Sequence, residues 1–165
     1  MEAEVDPAAA APEDPGDTMW WLSRRRFARG LDPDRIRRAI EAAEQGTSGE
    51  IVVSVAPIFL RSVQKAAELA FARLGVSRTR ERNGVLFFIV PGRRQFAILG
   101  DVGIHQKVGV DFWQAVAQAV SRRFHAGDLN GGLVEGIEEV GRQLAQHFPG
   151  RGAADVNELR DEPDI

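Results

Sequence analysis

The sequence predicts an α/β protein, a three-layer α/β/α sandwich built on a small mixed sheet. Three short segments have the β-branched and aromatic composition of strands: "EIVVSVA" (50–56), "GVLFFIV" (84–90) and "QFAIL" (95–99). Four other segments carry apolar residues at helical spacing. A helix that links two strands gives a right-handed crossover and parallel pairing. The sheet should therefore hold a parallel β-α-β unit plus an antiparallel hairpin strand.

The first helix is predicted by Asp32-Pro33, a capping carboxylate followed by proline at the first helical position. Its expected end is Gly46. A second helix should begin after Ser62 and close at Gly75, so it links the first two strands. The segment 84–90 is apolar at every position, which is typical of a central strand covered on both faces.

The second half of the chain predicts a hairpin and two helices. "PGRR" (91–94) is a turn signal between the second and third strands. Each of the last two helices has an apolar stripe, which consists of Trp113, Ala117, Val120 and Phe124 in the first and of Leu133, Ile137, Val140 and Leu144 in the second.

Composition narrows the class of protein. The chain has 165 residues, 44% of them hydrophobic and none of them cysteine, which excludes disulfides, thiolate chemistry and cysteine-based zinc sites. Its apolar runs fall short of the ~20 residues of a membrane span. An acidic start without an apolar stretch does not fit a secretory signal. The expected location is the cytoplasm, and peripheral contact with a membrane surface is compatible with it.

The chain divides into four predicted parts. Residues 1–18 are a disordered acidic tail, and residues 19–31 are an amphipathic lead-in segment with two tryptophans beside a basic run. Residues 32–150 form the folded domain, and residues 151–165 are a disordered polar tail. The lead-in suits a partner protein or a membrane surface, unless its tryptophans pack onto the domain. Nucleic-acid binding is disfavoured, because the arginines are scattered and no recognition motif accompanies them.

Polar residues should converge at one edge of the sheet. Glu50 opens the first strand, Asn83 precedes the second, and Asp101 follows the third within "FAILGDVGIH" (96–105). Because the third strand runs against the other two, these three positions share an edge. Oxygen ligands on glycine-bearing loops suit Ca²⁺ or Mg²⁺. Asp101, Glu50 and Asn83 are therefore candidate metal ligands.

The same edge supports a catalytic hypothesis and a structural one. In the first, Asp101 and Glu50 act as acid or base and Arg82 holds a phosphate bidentately. In the second, Asp101 is a turn residue or caps the helix that begins near Gly103, and Glu50 pairs with Arg80 or Arg82.

Other regions carry weaker signals. The opposite edge of the sheet suits an anion, and its residues are Pro57, Pro91, Gly92, Arg93 and Arg94. The three histidines form no ligand set in the sequence. The sequence also lacks a phosphate-binding glycine loop with its lysine, a zinc-helix motif and a serine elbow.

Several stretches between residues 31 and 149 resemble the TPM domain family. They are "IRRAIEAAEQGTSGEIVVSV", "LGVSRTRERNGVLFFIV", "FAILGDVGIHQKVGVDFW" and "FHAGDLNGGLVEGIEEVGRQLAQHFPG". The resemblance is to a short bacterial branch without signal peptide or membrane anchor, and it implies an α/β/α sandwich. Glu50, Asn83 and the Gly100-Asp101 element match that branch.

The resemblance implies two kinds of function. Some members of the family are described as phosphatases or Ca²⁺ binders, and others as assembly or accessory factors for membrane complexes. Many members carry an acidic pair in the turn after the second strand, where this chain has Pro91-Gly92-Arg93-Arg94. We therefore expect a non-catalytic accessory or binding factor that acts on a protein or membrane-associated partner. The alternative is an acid phosphatase that depends on a divalent metal.

Overall fold

The computed structural model describes residues 30–56, 62–90, 93, 95–150, 152, 157–159, 161 and 163–164. These residues form α1 (Pro33–Glu44), β1 (Glu50–Val55), α2 (Val63–Arg73), β2 (Gly84–Val90), β3 (Gln95–Gly100), α3 (Val102–His125) and α4 (Leu129–His147). A short 3-10 helix, Val76–Arg78, lies between α2 and β2. The predicted order of elements is confirmed.

The sheet has the strand order β1-β2-β3. β1 and β2 are parallel, with Glu50 opposite Gly84. β2 and β3 are antiparallel, with Val85 opposite Gly100. This mixed sheet is the predicted β-α-β unit with its antiparallel hairpin strand. Its register puts the starts of β1 and β2 beside the end of β3.

Each face of the sheet has its own apolar core. On one face, Phe87 packs within a cluster that includes buried residues of α1, α3 and α4. On the other face, Phe88 packs within a cluster that includes the buried residues of α2. Alternate residues of each strand point to opposite faces, so a strand buried on both sides must be apolar throughout. The three predicted layers are confirmed.

Local capping follows the predicted chemistry at two helices. The Asp32 carboxylate accepts the Arg35 N–H at 3.0 Å, and the Ser62 hydroxyl accepts the Lys65 N–H at 3.2 Å. α1 ends at Glu44 with Gln45 as its C-cap, so the predicted terminator Gly46 is the first residue past the helix, and the Thr47 N–H turns back to the Glu44 carbonyl. These contacts satisfy backbone groups that every helix end leaves free.

The stretch 151–165 differs from the predicted polar tail where the structure describes it. The Asp164 N–H donates to the Val53 carbonyl, and the Asp164 carbonyl accepts the Val55 N–H, so this residue lies against β1. Leu159 packs against the apolar cluster below α2. The open edge of β1 supplies the backbone partners that the composition of the tail does not reveal.

Several predictions lie outside the described residues. They concern residues 1–18, residues 19–29 of the lead-in, and most of the predicted anion edge: Pro57, Pro91, Gly92 and Arg94. Within the described ranges, no helix is long and apolar enough to cross a membrane.

Candidate functional site

The predicted site residues lie at one edge of the sheet. Glu50 pairs with Gly84 across β1 and β2. The Asp101 N–H donates to the Gly84 carbonyl at 2.9 Å, so the chain after β3 is tied to the same point. Arg82 and Asn83 immediately precede β2. The side chains then separate into two groups, one around Asp101 and one around Glu50.

Asp101 is engaged by the start of α3 and by Arg82. Its Oδ1 accepts the Val102 N–H at 2.7 Å and Arg82 Nη2 at 2.8 Å, and its Oδ2 accepts Arg82 Nε at 2.6 Å. The carboxylate is only 3% exposed, whereas the arginine side chain is 49% exposed. The bond to Asp101 raises the pKa of Arg82 further. Both oxygens of Asp101 are therefore occupied by the cap and the ion pair.

The loop before β2 is shaped to present Arg82. Its φ of 52° is in the left-handed region, which a non-glycine residue adopts only at a cost. Three hydrogen bonds from backbone N–H groups hold it there: Arg82 N–H to the Thr79 carbonyl at 3.1 Å, Asn83 N–H to the Thr79 side-chain Oγ1 at 3.1 Å, and Gly103 N–H to the Arg82 carbonyl at 2.8 Å. A Cβ at Gly103 would lie 2.3 Å from the Glu81 carbonyl oxygen. Glycine is therefore required where α3 meets this loop.

Replacing Gly103 by alanine is expected to push this loop away from α3. The added methyl meets backbone oxygens, which cannot rotate aside. We expect the free energy of unfolding to fall by about 2–3 kcal/mol, measured by urea denaturation. Gly46→Ala is the control, because its nearest contact would be Ala145 Cβ at an ordinary 3.8 Å. Equal stability of the two variants would contradict the close packing.

Asn83 and Ser48 link this loop to the start of β1. Asn83 Nδ2 donates to Ser48 Oγ at 3.2 Å, and the Ser48 hydroxyl donates to the Glu81 carboxylate. Asn83 is 1% exposed, and its Oδ1 has no hydrogen-bond donor. A buried acceptor without a partner is costly, so such an atom needs a reason.

Glu50 also has a buried side-chain oxygen without a hydrogen-bond donor, and in this residue the oxygen belongs to an ionisable carboxyl group. Its Oε1 accepts the Glu158 N–H at 2.7 Å, whereas its Oε2 is buried and has no donor. The residue is 4% exposed, and burial raises the pKa of its carboxyl group to about 7. The predicted pairing of Glu50 with Arg80 or Arg82 is not among its contacts. The Arg80 N–H instead donates to the Glu158 carboxylate at 3.2 Å.

A second carboxyl group, not singled out from the sequence, belongs to this group. Glu44 Oε1 accepts the Ile51 N–H at 2.6 Å, and burial raises the pKa of Glu44 to about 9. The negative charges of Glu50 and Asp161 act in the same direction. Glu44 ends the predicted first helix six residues before Glu50, and only the turn between α1 and β1 brings the two together.

These carboxyl groups face a cleft of about 460 Å³. Its lining consists of Glu44, Gln45, Gly46, Thr47, Glu50, Pro149, Gly150, Gly152 and Asn157. Among the described residues, no three His, Asp or Glu side chains are grouped so that they alone would hold a metal ion. A cation here would need backbone or water oxygens besides the carboxylates.

Comparison with known proteins shows the family to which the chain belongs. The TPM domain family profile matches residues 27–143, which is more than half of the chain. The fold is similar to the NMR structure of the BA42 protein from the psychrophilic bacterium Bizionia argentinensis. That similarity has a TM-score of 0.73 and 36% identity, and it covers 79% of this chain and 90% of that one. No functionally curated protein matches the chain. The chain belongs to the TPM domain family.

Proposed function

We propose that this TPM domain is a binding factor rather than a hydrolase, and that the cleft beside Glu50 takes a divalent cation. The observation that carries the proposal is Glu50 Oε2, a buried carboxylate oxygen without a donor at the wall of that cleft. A carboxylate in this position is poorly solvated and gains strongly from a bound cation.

The residues around the cleft fit a hard cation. Glu50 Oε2 is the first ligand, and Glu44 is the second carboxyl group at the same wall. Main-chain carbonyls of the α1–β1 turn and water would supply the remaining oxygens, as is common for Ca²⁺ and Mg²⁺. The cation would supply positive charge that holds both groups in the carboxylate form. Of the predicted ligands, Asn83 keeps a free buried oxygen, whereas Asp101 does not.

The hydrogen bonds that Asp101 already accepts make phosphatase activity the less favoured of the two functions. A general base or nucleophile needs a free oxygen. Here Arg82 and the start of α3 take both oxygens of Asp101, and Arg82 is already used bidentately. Phosphate would have to displace Asp101 from Arg82 before it could bind there. We therefore propose an accessory role toward a protein or membrane-associated partner, in the cytoplasm or at its membrane surface.

Titration calorimetry with CaCl₂ and with MgCl₂ tests the cation site on the full chain. We expect saturable binding at pH 8, above the pKa of Glu50, and at least about tenfold weaker binding in Glu50→Gln, since that substitution removes one ligand charge. Glu138→Gln is the control, because Glu138 is exposed on α4.

Two outcomes would count against the proposal. Absence of saturable binding in the folded wild-type chain removes the cation. Hydrolysis of a generic phosphomonoester that disappears in Asp101→Asn, while circular dichroism shows the variant folded, restores the phosphatase alternative.

A further inference from the structure

β1 is an edge strand, and the chain's own C-terminal segment lies on its outer side. β2 pairs with one side of β1 along its length. On the other side, Asp164 forms a parallel bridge to Ser54. The Asp164 N–H donates to the Val53 carbonyl at 2.9 Å, and the Val55 N–H donates to the Asp164 carbonyl at 2.7 Å. This is the pattern by which a sheet edge captures an extended peptide.

The side chain of Asp164 binds two donors, one on β1 and one on α2. Its Oδ2 accepts Ser54 Oγ at 3.0 Å and Arg73 Nη2 at 2.8 Å. Ser54 is 1% exposed, so its hydroxyl is a buried donor that β1 holds in place. Arg73, at the end of α2, supplies the positive charge and lowers the pKa of Asp164. Together these groups recognise one aspartate in an extended chain.

Two further contacts extend the groove toward Glu50. Leu159 packs against the apolar cluster of α2 and the sheet. The Glu158 N–H donates to Glu50 Oε1 at 2.7 Å, and the Arg80 N–H donates to the Glu158 carboxylate at 3.2 Å. The groove therefore contacts an acidic residue, an adjacent leucine and an aspartate five positions later.

We propose that the outer edge of β1, with Ser54 and Arg73, is a docking groove for an extended acidic segment of a partner protein, and that the segment holding Glu158, Leu159 and Asp164 is its resident occupant. The resident segment blocks the groove until a partner segment of the same pattern displaces it. This docking groove rests on the binding role proposed above and specifies the chemistry of the partner. It does not depend on the cation.

The contacts of the resident segment are weak enough for a partner segment to replace it in the groove. The Arg73 and Asp164 side chains are 63% and 45% exposed, and ion pairs with such exposure contribute little individually. The segment is held instead by its attachment to the domain, which gives it a high effective concentration at the groove. A partner segment therefore competes once it is abundant or tethered nearby.

A fluorescent peptide with the sequence of residues 157–165, NELRDEPDI, tests the groove in trans on full-length chains. Asp164→Ala weakens the resident segment, so we expect this variant to bind the peptide at least about tenfold more tightly than wild type, measured by anisotropy. Adding Arg73→Ala to that variant is expected to weaken binding about threefold to fivefold, whereas adding Lys65→Ala, which removes the same charge elsewhere on α2, should leave it unchanged. A peptide with alanine in place of Asp164 should bind at least about tenfold more weakly, because it loses the contacts with Ser54 and Arg73.

Three results would overturn the proposal. The first is equal peptide binding by wild type and Asp164→Ala, and the second is binding that ignores Arg73. The third is a wild-type dimer in light scattering that Asp164→Ala abolishes, because the occupant would then be a second copy of this chain. Calcium titration of the wild-type chain separates these outcomes from failure of the cation site, because there the Glu158 N–H still binds Glu50 and Asn157 still lines the cleft.

Discussion

Asp101→Ala is expected to lower the free energy of unfolding by about 2–3 kcal/mol. The substitution removes the cap of α3 and the buried carboxylate that Arg82 binds bidentately. The loss is smaller than for a fully buried ion pair, because Arg82 is about half exposed and water can solvate it. Chemical denaturation measures the effect, and the slope with denaturant should stay unchanged.

Asp101→Asn separates the two contributions. Asparagine is a good helix cap, so the bond to the Val102 N–H can persist while the charge is lost. We expect a loss of about 1–2 kcal/mol for this variant. Asp34→Ala serves as the control, since Asp34 is 77% exposed and lies 3.6 Å from Arg37, and it should change stability very little.

The same variants decide the role of Asp101. If Asp101→Asn were as stable as wild type but lost calcium binding, Asp101 would be a ligand and our structural assignment would fail. If it lost stability and kept calcium binding, Asp101 would be a positioning residue that fixes α3 against the loop of Arg82. The contacts of Asp101 favour the second result.

Much of this edge could be predicted because strand direction depends on strand order. The apolar runs of β1, β2 and β3 are distinct in the sequence, and one crossover helix fixes which strands are parallel. Asp101 also lies where a cap is expected, directly before a helix. The predicted convergence of Glu50, Asn83 and Asp101 on one edge needed nothing beyond these local signals.

The division of that edge into two groups could not be predicted. Whether Arg82 binds Asp101 or Glu50 depends on a left-handed backbone at Arg82 and on a glycine contact twenty-one residues later at Gly103. Glu44 and Asp164 were missed for a related reason. Glu44 lies at the end of a helix and Asp164 in a polar tail, and the residues around each are those of a solvent-exposed segment. Only tertiary packing buries the first and places the second beside β1.

The stability of the chain is expected to fall as pH rises from about 5 to about 9, through Glu50 and Glu44. Burial raises their pKa values in the folded state from 4.5 to about 7 and about 9. Between those limits the folded state holds more protons than the unfolded state, so raising the pH favours unfolding. The stabilisation that each group gives the folded state is fully present below about pH 4.5. It is lost progressively as pH rises to the pKa of that group in the folded state. The slope per group has an upper limit of about 1.4 kcal/mol per pH unit.

Urea denaturation at several pH values measures this dependence in wild type, Glu50→Gln, Glu44→Gln and the exposed control Glu138→Gln. Glutamine keeps the oxygens that accept the Glu158 and Ile51 N–H groups but cannot ionise, so each of the first two variants should flatten its part of the profile. The control should retain the full wild-type slope. At one fixed concentration, calcium should restore more stability at pH 8 in wild type than in Glu50→Gln, because a cation that binds only the folded state stabilises it in proportion to its affinity. Parallel profiles for all four chains would contradict the raised pKa values of Glu50 and Glu44.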